Sequence, residues 1–325
     1  MSLARRDFLR LGGGALAAFA APGSLVRLAD RASSVTATGP VIDVHMHAYP
    51  ASMQLDAPIV NPITGAKSPI RTGADHLAAC LAEMRRHDVV RGVVSGGDGD
   101  RLRAAVEWSE RDPSRFLVGA GIRGSADTPL PPIEALRRLH SEGRLQVIGE
   151  LTSQYAGLPL SDPAYEPYLA LAEELDVPVA LHTGTMPAGT SFDPCCRSAR
   201  ARFGNPELVE EALNHHPKLR LNLMHGGWPY LQDTIAMLML YPNVYTDTGA
   251  IDWLLPRAAF HDYLRALVDA GFGTRIMFGS DHMFWPDAIG LGIEGITTAR
   301  FLTAAQRRDI LYHNAVRFYR IDTRS

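Results

Sequence analysis

The feature that most constrains this chain is an alternation. Eight short apolar runs, each followed by sequence with helical spacing, succeed one another from residue 41 to the C-terminus. The runs cover 41–47, 89–94, 116–122, 146–151, 177–182, 219–225, 244–247 and 275–278. They are mainly apolar, as strands are when both faces of a parallel sheet are covered. Helical spacing marks 75–87, 100–110, 131–141, 165–175, 206–214, 230–240 and 254–270, and a helical tail over 304–319 follows Thr303 as its N-cap. Eight β/α units over this length predict an α/β fold, a single-domain (β/α)8 TIM barrel, in preference to an open doubly wound sheet. No Gly-x-Gly-x-x-Gly follows the first strand, so a dinucleotide-binding fold lacks its main support.

Composition fits one large globular domain. The chain has 325 residues, a formal charge of −3 and 46% hydrophobic residues. Its basic residues are spread out, which argues against a nucleic-acid partner. The expected partner is a small-molecule substrate; a homo-oligomer is left open. Residues 1–31 stand apart as a leader. Arg5 and Arg6 precede Phe8-Leu9 and a Gly/Ala-rich apolar core over 11–21. That core is too short to span a bilayer, and it resembles a twin-arginine export signal with cleavage after Ala20. The barrel domain is then 32–325, beginning with a Ser/Thr/Gly-rich linker. The mature protein is expected to be periplasmic or secreted, with no stable membrane anchor. The three cysteines, Cys80, Cys195 and Cys196, form neither a disulfide framework nor a zinc-finger spacing. Cys80 is expected to pack on its helix. For the adjacent pair two thiols are the simpler expectation, because a bridge between neighbours is strained, although an oxidising compartment would permit it.

Barrel chemistry sits at the C-terminal ends of the strands. The first run ends in His45-Met46-His47, and strand alternation points the two imidazoles the same way. Adjacent buried imidazoles compete for the same partners, which suits a metal better than a core. The fourth run ends at Glu150, the fifth at His182 and the sixth at His225. The eighth leads into Asp281. Four of the twelve histidines thus face one mouth with a carboxylate on the last strand, and a metal site is the economical explanation. Imidazole and carboxylate suit zinc, and a catalytic zinc keeps a position open for water, whose pKa it brings to roughly 7.

The order and spacing of several motifs resemble the amidohydrolase superfamily. Within it they resemble the amidohydrolase-related (amidohydrolase 2) family, relatives of aminocarboxymuconate-semialdehyde decarboxylase. The motifs are Val44-His45-Met46-His47, Ala180-Leu181-His182-Thr183-Gly184 and Met224-His225-Gly226-Gly227-Trp228-Pro229. They continue with Asn243-Val244-Tyr245-Thr246-Asp247, Phe278-Gly279-Ser280-Asp281 and the tail Asp309-Ile310-Leu311-Tyr312-His313-Asn314-Ala315. The similarity runs over 41–321. It implies one divalent metal, most often Zn2+, on His45, His47, His182 and Asp281. Asp281 would also accept a proton, and His225 would act as acid/base or polarise a carbonyl. No lysine ends the fourth strand, so a carbamylated lysine bridging two metals is not supported. Glu150 stands there instead, ranked first as a polar group behind the ligands, with bridging a second metal or binding substrate as alternatives.

Other residues near strand ends are candidates for the substrate pocket or for support of the ligands: Arg123, Tyr155, Trp228, Asp247, His282 and Trp285. His76, His87, His140, His215, His216 and His261 fall in helical sequence and are expected at the surface or in packing. The first functional expectation is a metal-dependent hydrolase of a small ester, lactone or amide. The alternative is a decarboxylase of an aromatic or enoic acid on the same scaffold, which would need an arginine for the substrate carboxylate; Arg123 and Arg197 qualify. A non-catalytic binding protein is disfavoured by the complete ligand set.

Overall fold

The computed structural model describes residues 39–55, 59–95, 100–123 and 130–323. The expected export signal lies outside the described residues. Eight strands pair in sequence order, every pair parallel: β1 (Val41–Met46), β2 (Val89–Ser95), β3 (Phe116–Ile122), β4 (Val147–Leu151), β5 (Val179–Leu181), β6 (Leu221–Leu223), β7 (Val244–Asp247) and β8 (Ile276–Met277). Past β8 the chain meets β1 again. The Val44 amide donates to the Phe278 carbonyl at 3.0 Å, and the Asp281 amide donates to the His45 carbonyl at 2.8 Å. The sheet is therefore a nearly closed barrel.

One main helix follows each strand: α1 (Gly73–Arg86), α2 (Asp100–Arg111), α3 (Ile133–Ser141), α4 (Glu166–Leu175), α5 (Glu210–His215), α6 (Leu231–Leu240), α7 (Arg257–Leu267) and α8 (Ala288–Thr297). Helix α1 starts with a reciprocal cap. The Thr72 hydroxyl accepts from the Asp75 amide, and the Asp75 carboxylate accepts from the Thr72 amide, both at 3.0 Å. The tail is α9 (Ala304–Arg308), a wider π turn over Asp309–His313, and α10 (Asn314–Tyr319). Among the described residues no helix is long and apolar enough to cross a membrane.

Strands β5 and β6 are shorter than their apolar runs. Val177 and Leu219 are buried before the ladders of β5 and β6 begin, so apolarity overstates the pairing. His182 and His225 stand just past the ladders, and the chain turns at Met224–Gly227 with His225 at φ 61°. The helix expected over 254–270 is broken by Pro256, which cannot donate a helical hydrogen bond and precedes α7 instead.

Two buried layers flank the sheet. The larger lies between strands and helices. The smaller joins Ile42, Val44, Val93, Val147, Ala180, Met224 and Met277 to Ala315, Phe318 and Tyr319. Helix α10 therefore packs against residues from around the sheet, and Phe318 is only 2% exposed. Phe318→Ala should lower unfolding free energy by about 3–5 kcal/mol, the usual cost of deleting a buried aromatic ring. A shift of the urea midpoint at constant slope measures it.

The loop after β5 corrects one expectation. Cys195 and Cys196 are joined as a disulfide. The tight turn Pro194–Cys196 begins at Asp193, whose carboxylate accepts the Cys195 amide at 3.0 Å. Folding that tightly brings neighbouring sulfurs together, which an extended segment cannot do.

Candidate metal centre

The ends of β1, β4, β5 and β6 and the turn after β8 bring four imidazoles and two carboxylates to one place. Of these four imidazoles His45 is the most buried, and it has a hydrogen-bond partner on neither ring nitrogen. Its Nε2 faces Asp281 Oδ1 at 3.6 Å and Glu150 Oε2 at 3.8 Å, and its Nδ1 faces Asp247 Oδ2 at 3.6 Å. His47 Nε2 lies 2.8 Å from Asp281 Oδ1 and 3.9 Å from Glu150 Oε2. His182 Nδ1 lies 2.6 Å from Glu150 Oε1 and 3.0 Å from His225 Nε2. Three donor groups result: His45, His47 and Glu150; His45, His225 and Asp281; and Glu150, His182 and His225. Of the expected set, His45 groups with His47 and, separately, with Asp281, whereas His182 groups with Glu150 and His225.

Glu150 corrects a second expectation. It was ranked behind the ligands, yet it stands among them, one oxygen toward His182 and His225 and the other toward His45 and His47. The cause is local. The register of β4 slips between Ile148 and Leu151 against β5, and the β3 register slips opposite it. A slip of this kind re-aims a side chain.

Asp247 lies behind two imidazoles. Its Oδ1 accepts from the His225 and Gly249 amides at 3.0 and 2.9 Å, and its Oδ2 accepts from the Asn222 side chain at 2.8 Å. Asn222 was missed, although a lone amide inside an apolar strand was a visible signal. Gly249 is required beside it, since a Cβ there would sit 2.6 Å from His45 Nδ1.

Around the rim, Arg123 lies 5.4 Å over the Tyr155 ring, and Tyr155 packs edge-on against His182 at 5.0 Å. An Arg123 N–H also approaches Cys196 Sγ at 3.8 Å. Trp285 ties the loops after β1 and β8 together by donating to the Val60 carbonyl at 3.0 Å. Trp228 links the loops after β5 and β6, its carbonyl accepting the Thr185 amide at 3.2 Å. The His282 side chain is fully buried, sits beside His76 and Cys80, and meets the His47 ring edge-on at 6.5 Å.

A family model described as amidohydrolase matches residues 42–321. This chain belongs to the amidohydrolase family. Two solved structures share its fold. A probable 2-pyrone-4,6-dicarboxylic acid hydrolase from Acinetobacter baumannii is 16% identical, with a TM-score of 0.59, covering 86% of this chain and 99% of that one. The 5-carboxyvanillate decarboxylase LigW from Sphingomonas paucimobilis is 17% identical, with a TM-score of 0.55, covering 87% and 99%. A curated relative, Protein fluG of Emericella nidulans, is 26% identical over 135 residues. That match covers 36% of this chain and 15% of the length of fluG.

The donor atoms of this amidohydrolase fit a divalent metal. Buried polar atoms without partners are rare in folded proteins, and both nitrogens of His45 are such atoms. Electrostatics point the same way. Burial alone would depress His45, but Asp281, Asp247 and Glu150 outweigh it and hold its pKa well above the usual value. Burial also opposes ionisation of Glu150, yet His182, His225 and His45 pull its pKa well below the usual range. His225 is raised: burial pulls it down, and Glu150 and Asp281 outweigh that. Carboxylates that draw protons onto buried imidazoles would draw a cation into the same hollow.

Proposed function

We propose that the protein is a metal-dependent decarboxylase of a small aromatic or enoic acid. The observation that carries this is Arg123. Its half-buried guanidinium has no carboxylate partner among the described residues, and it stands one ring away from His182. A guanidinium in that position is suited to a substrate carboxylate, which it grips through two parallel N–H bonds. The likeness in fold to a carboxyvanillate decarboxylase supports the reading by analogy.

His45, His47, His182 and Asp281 would hold the metal, which when bound supplies Lewis-acid polarisation of a substrate oxygen. The chain's own groups do the rest. Arg123 and Tyr155 orient the acid. The Gly249 carbonyl, 3.0 Å from His225 Nδ1, can only accept, so that nitrogen carries a proton and Nε2 faces the site. From Nε2, His225 is placed to hand a proton to the carbon that loses carbon dioxide. Glu150, 3.7 Å from that nitrogen, faces the protonated imidazole as a carboxylate and offsets its charge, and the next proton comes from solvent.

A second reading is hydrolysis of a small ester, lactone or amide. The Glu150–His225 pair favours it, since the same two groups would take a proton from water. The likeness to a pyrone dicarboxylic acid hydrolase supports it by analogy. A panel of aromatic and enoic acids, assayed for carbon dioxide beside lactones and esters, separates the two. Carbon dioxide release from an acid is expected. Turnover of lactones or esters with none from any acid would replace the first reading by the second. On the substrate found, Arg123→Ala should raise KM by about 10–100-fold, roughly the worth of a charged hydrogen-bonded pair. Metal content should not change. A KM unaltered in Arg123→Ala would remove the proposed anchor.

A further inference from the structure

We infer that His76, Cys80 and His282 form a second metal site, suited to a zinc-like divalent cation and sharing no donor with the first. Helix α1 carries His76 and Cys80 one turn apart on the same face. The turn after β8 brings His282 to them across more than two hundred residues of chain. All three side chains are fully buried, and their donor atoms lie within 4.8 Å of one another. Cys80 Sγ is 3.7 and 3.8 Å from the two nitrogens of His76 and 3.9 Å from His282 Nε2. Zinc–sulfur and zinc–nitrogen bonds at a tetrahedral angle place sulfur and nitrogen roughly 3.6 Å apart. Both sulfur–nitrogen edges of the trio are therefore within a few tenths of an ångström of that spacing.

The orientation of the rings is an independent observation. His76 Nε2 and His282 Nδ1 both meet the Met283 carbonyl, at 2.8 and 3.1 Å. A carbonyl only accepts, so each of these nitrogens carries the ring's proton. The lone pairs are left on His76 Nδ1 and His282 Nε2, the atoms 3.7 and 3.9 Å from the sulfur. Metal-binding histidines are commonly fixed in this way, one nitrogen donating to a carbonyl while the other ligates. The amide of His47 also approaches His282 Nε2, at a long 3.4 Å, and is the weak contact a cation would displace.

Two imidazoles and one thiolate suit zinc and other borderline-soft cations better than magnesium or calcium. On binding, the Cys80 thiol gives its proton to solvent and a sulfur–metal bond forms, with no change of oxidation state. The cation would pin α1 to the turn that carries Asp281, so its role is to brace the catalytic centre.

Cys80 reports on this site alone, because the other two cysteines are bonded to each other. The experiment is to produce the full chain in cobalt-supplemented medium and to record its metal content and near-ultraviolet spectrum. Two cobalt ions per chain and a sulfur-to-cobalt charge-transfer band are expected. Cys80→Ser should lose the band and one equivalent of cobalt, whereas Asp281→Asn should keep the band. A folded wild-type protein that binds cobalt without the band overturns the proposal, as does a band that persists in Cys80→Ser. The wild-type spectrum decides even if the serine variant fails to fold. A single cobalt without the band would leave the catalytic centre as proposed and remove only this second site.

Discussion

Asp281→Asn is expected to lower kcat/KM by about 1,000-fold or more and to release the catalytic metal. Two roles converge on this side chain. Its Oδ1 is the carboxylate oxygen nearest to His47, at 2.8 Å, and it also faces the unpartnered Nε2 of His45 at 3.6 Å. Neutralising it removes a negative charge from a buried hollow that needs a cation, and general acid–base groups alone are worth about 100–10,000-fold. The fold should survive. The residue is held through its backbone, since its amide donates to the His45 carbonyl, and asparagine tolerates the φ of 44°. Circular dichroism would confirm the fold, and elemental analysis with turnover would read the effect. An asparagine variant that keeps both metal and turnover would remove Asp281 from the site.

His225→Asn should behave differently. Turnover should fall by about 100–10,000-fold, and the metal should stay. Asparagine is preferred to alanine here because His225 sits at φ 61°, where an ordinary side chain is strained and asparagine is not. The geometry makes this a sharp test. His225 forms one donor group with His45 and Asp281 and another with Glu150 and His182, so it is close enough to ligate. Its Nδ1, however, is committed to the Gly249 carbonyl, and its Nε2 lies 3.0 Å from His182. Loss of the metal in His225→Asn would make it a ligand and move the proton transfer to Glu150 or Asp281.

The architecture was legible because a parallel barrel demands it. Strands covered on both faces are rich in apolar residues, as β1 to β8 are, so their number and order could be read directly. His45, His47, His182, His225 and Asp281 were legible for a related reason: strand ends in a barrel share one mouth. Glu150 was harder. A carboxylate at a strand end points inward or sideways according to register, and the slip between Ile148 and Leu151 is marked in the sequence only by Gly149. The Cys195–Cys196 bond depended on a turn set by Asp193, and two adjacent cysteines do not announce a turn. His76 looked like an ordinary helical histidine, because its neighbour His282 comes from the far end of the chain.

An anomalous difference map from crystals of active protein, recorded at the absorption edge of its metal, tests the central claim most directly. The expected result is a peak at about 2.0–2.2 Å from ligand atoms of His45, His47 and Asp281. Crystals of fully active enzyme with no peak among those residues would contradict it.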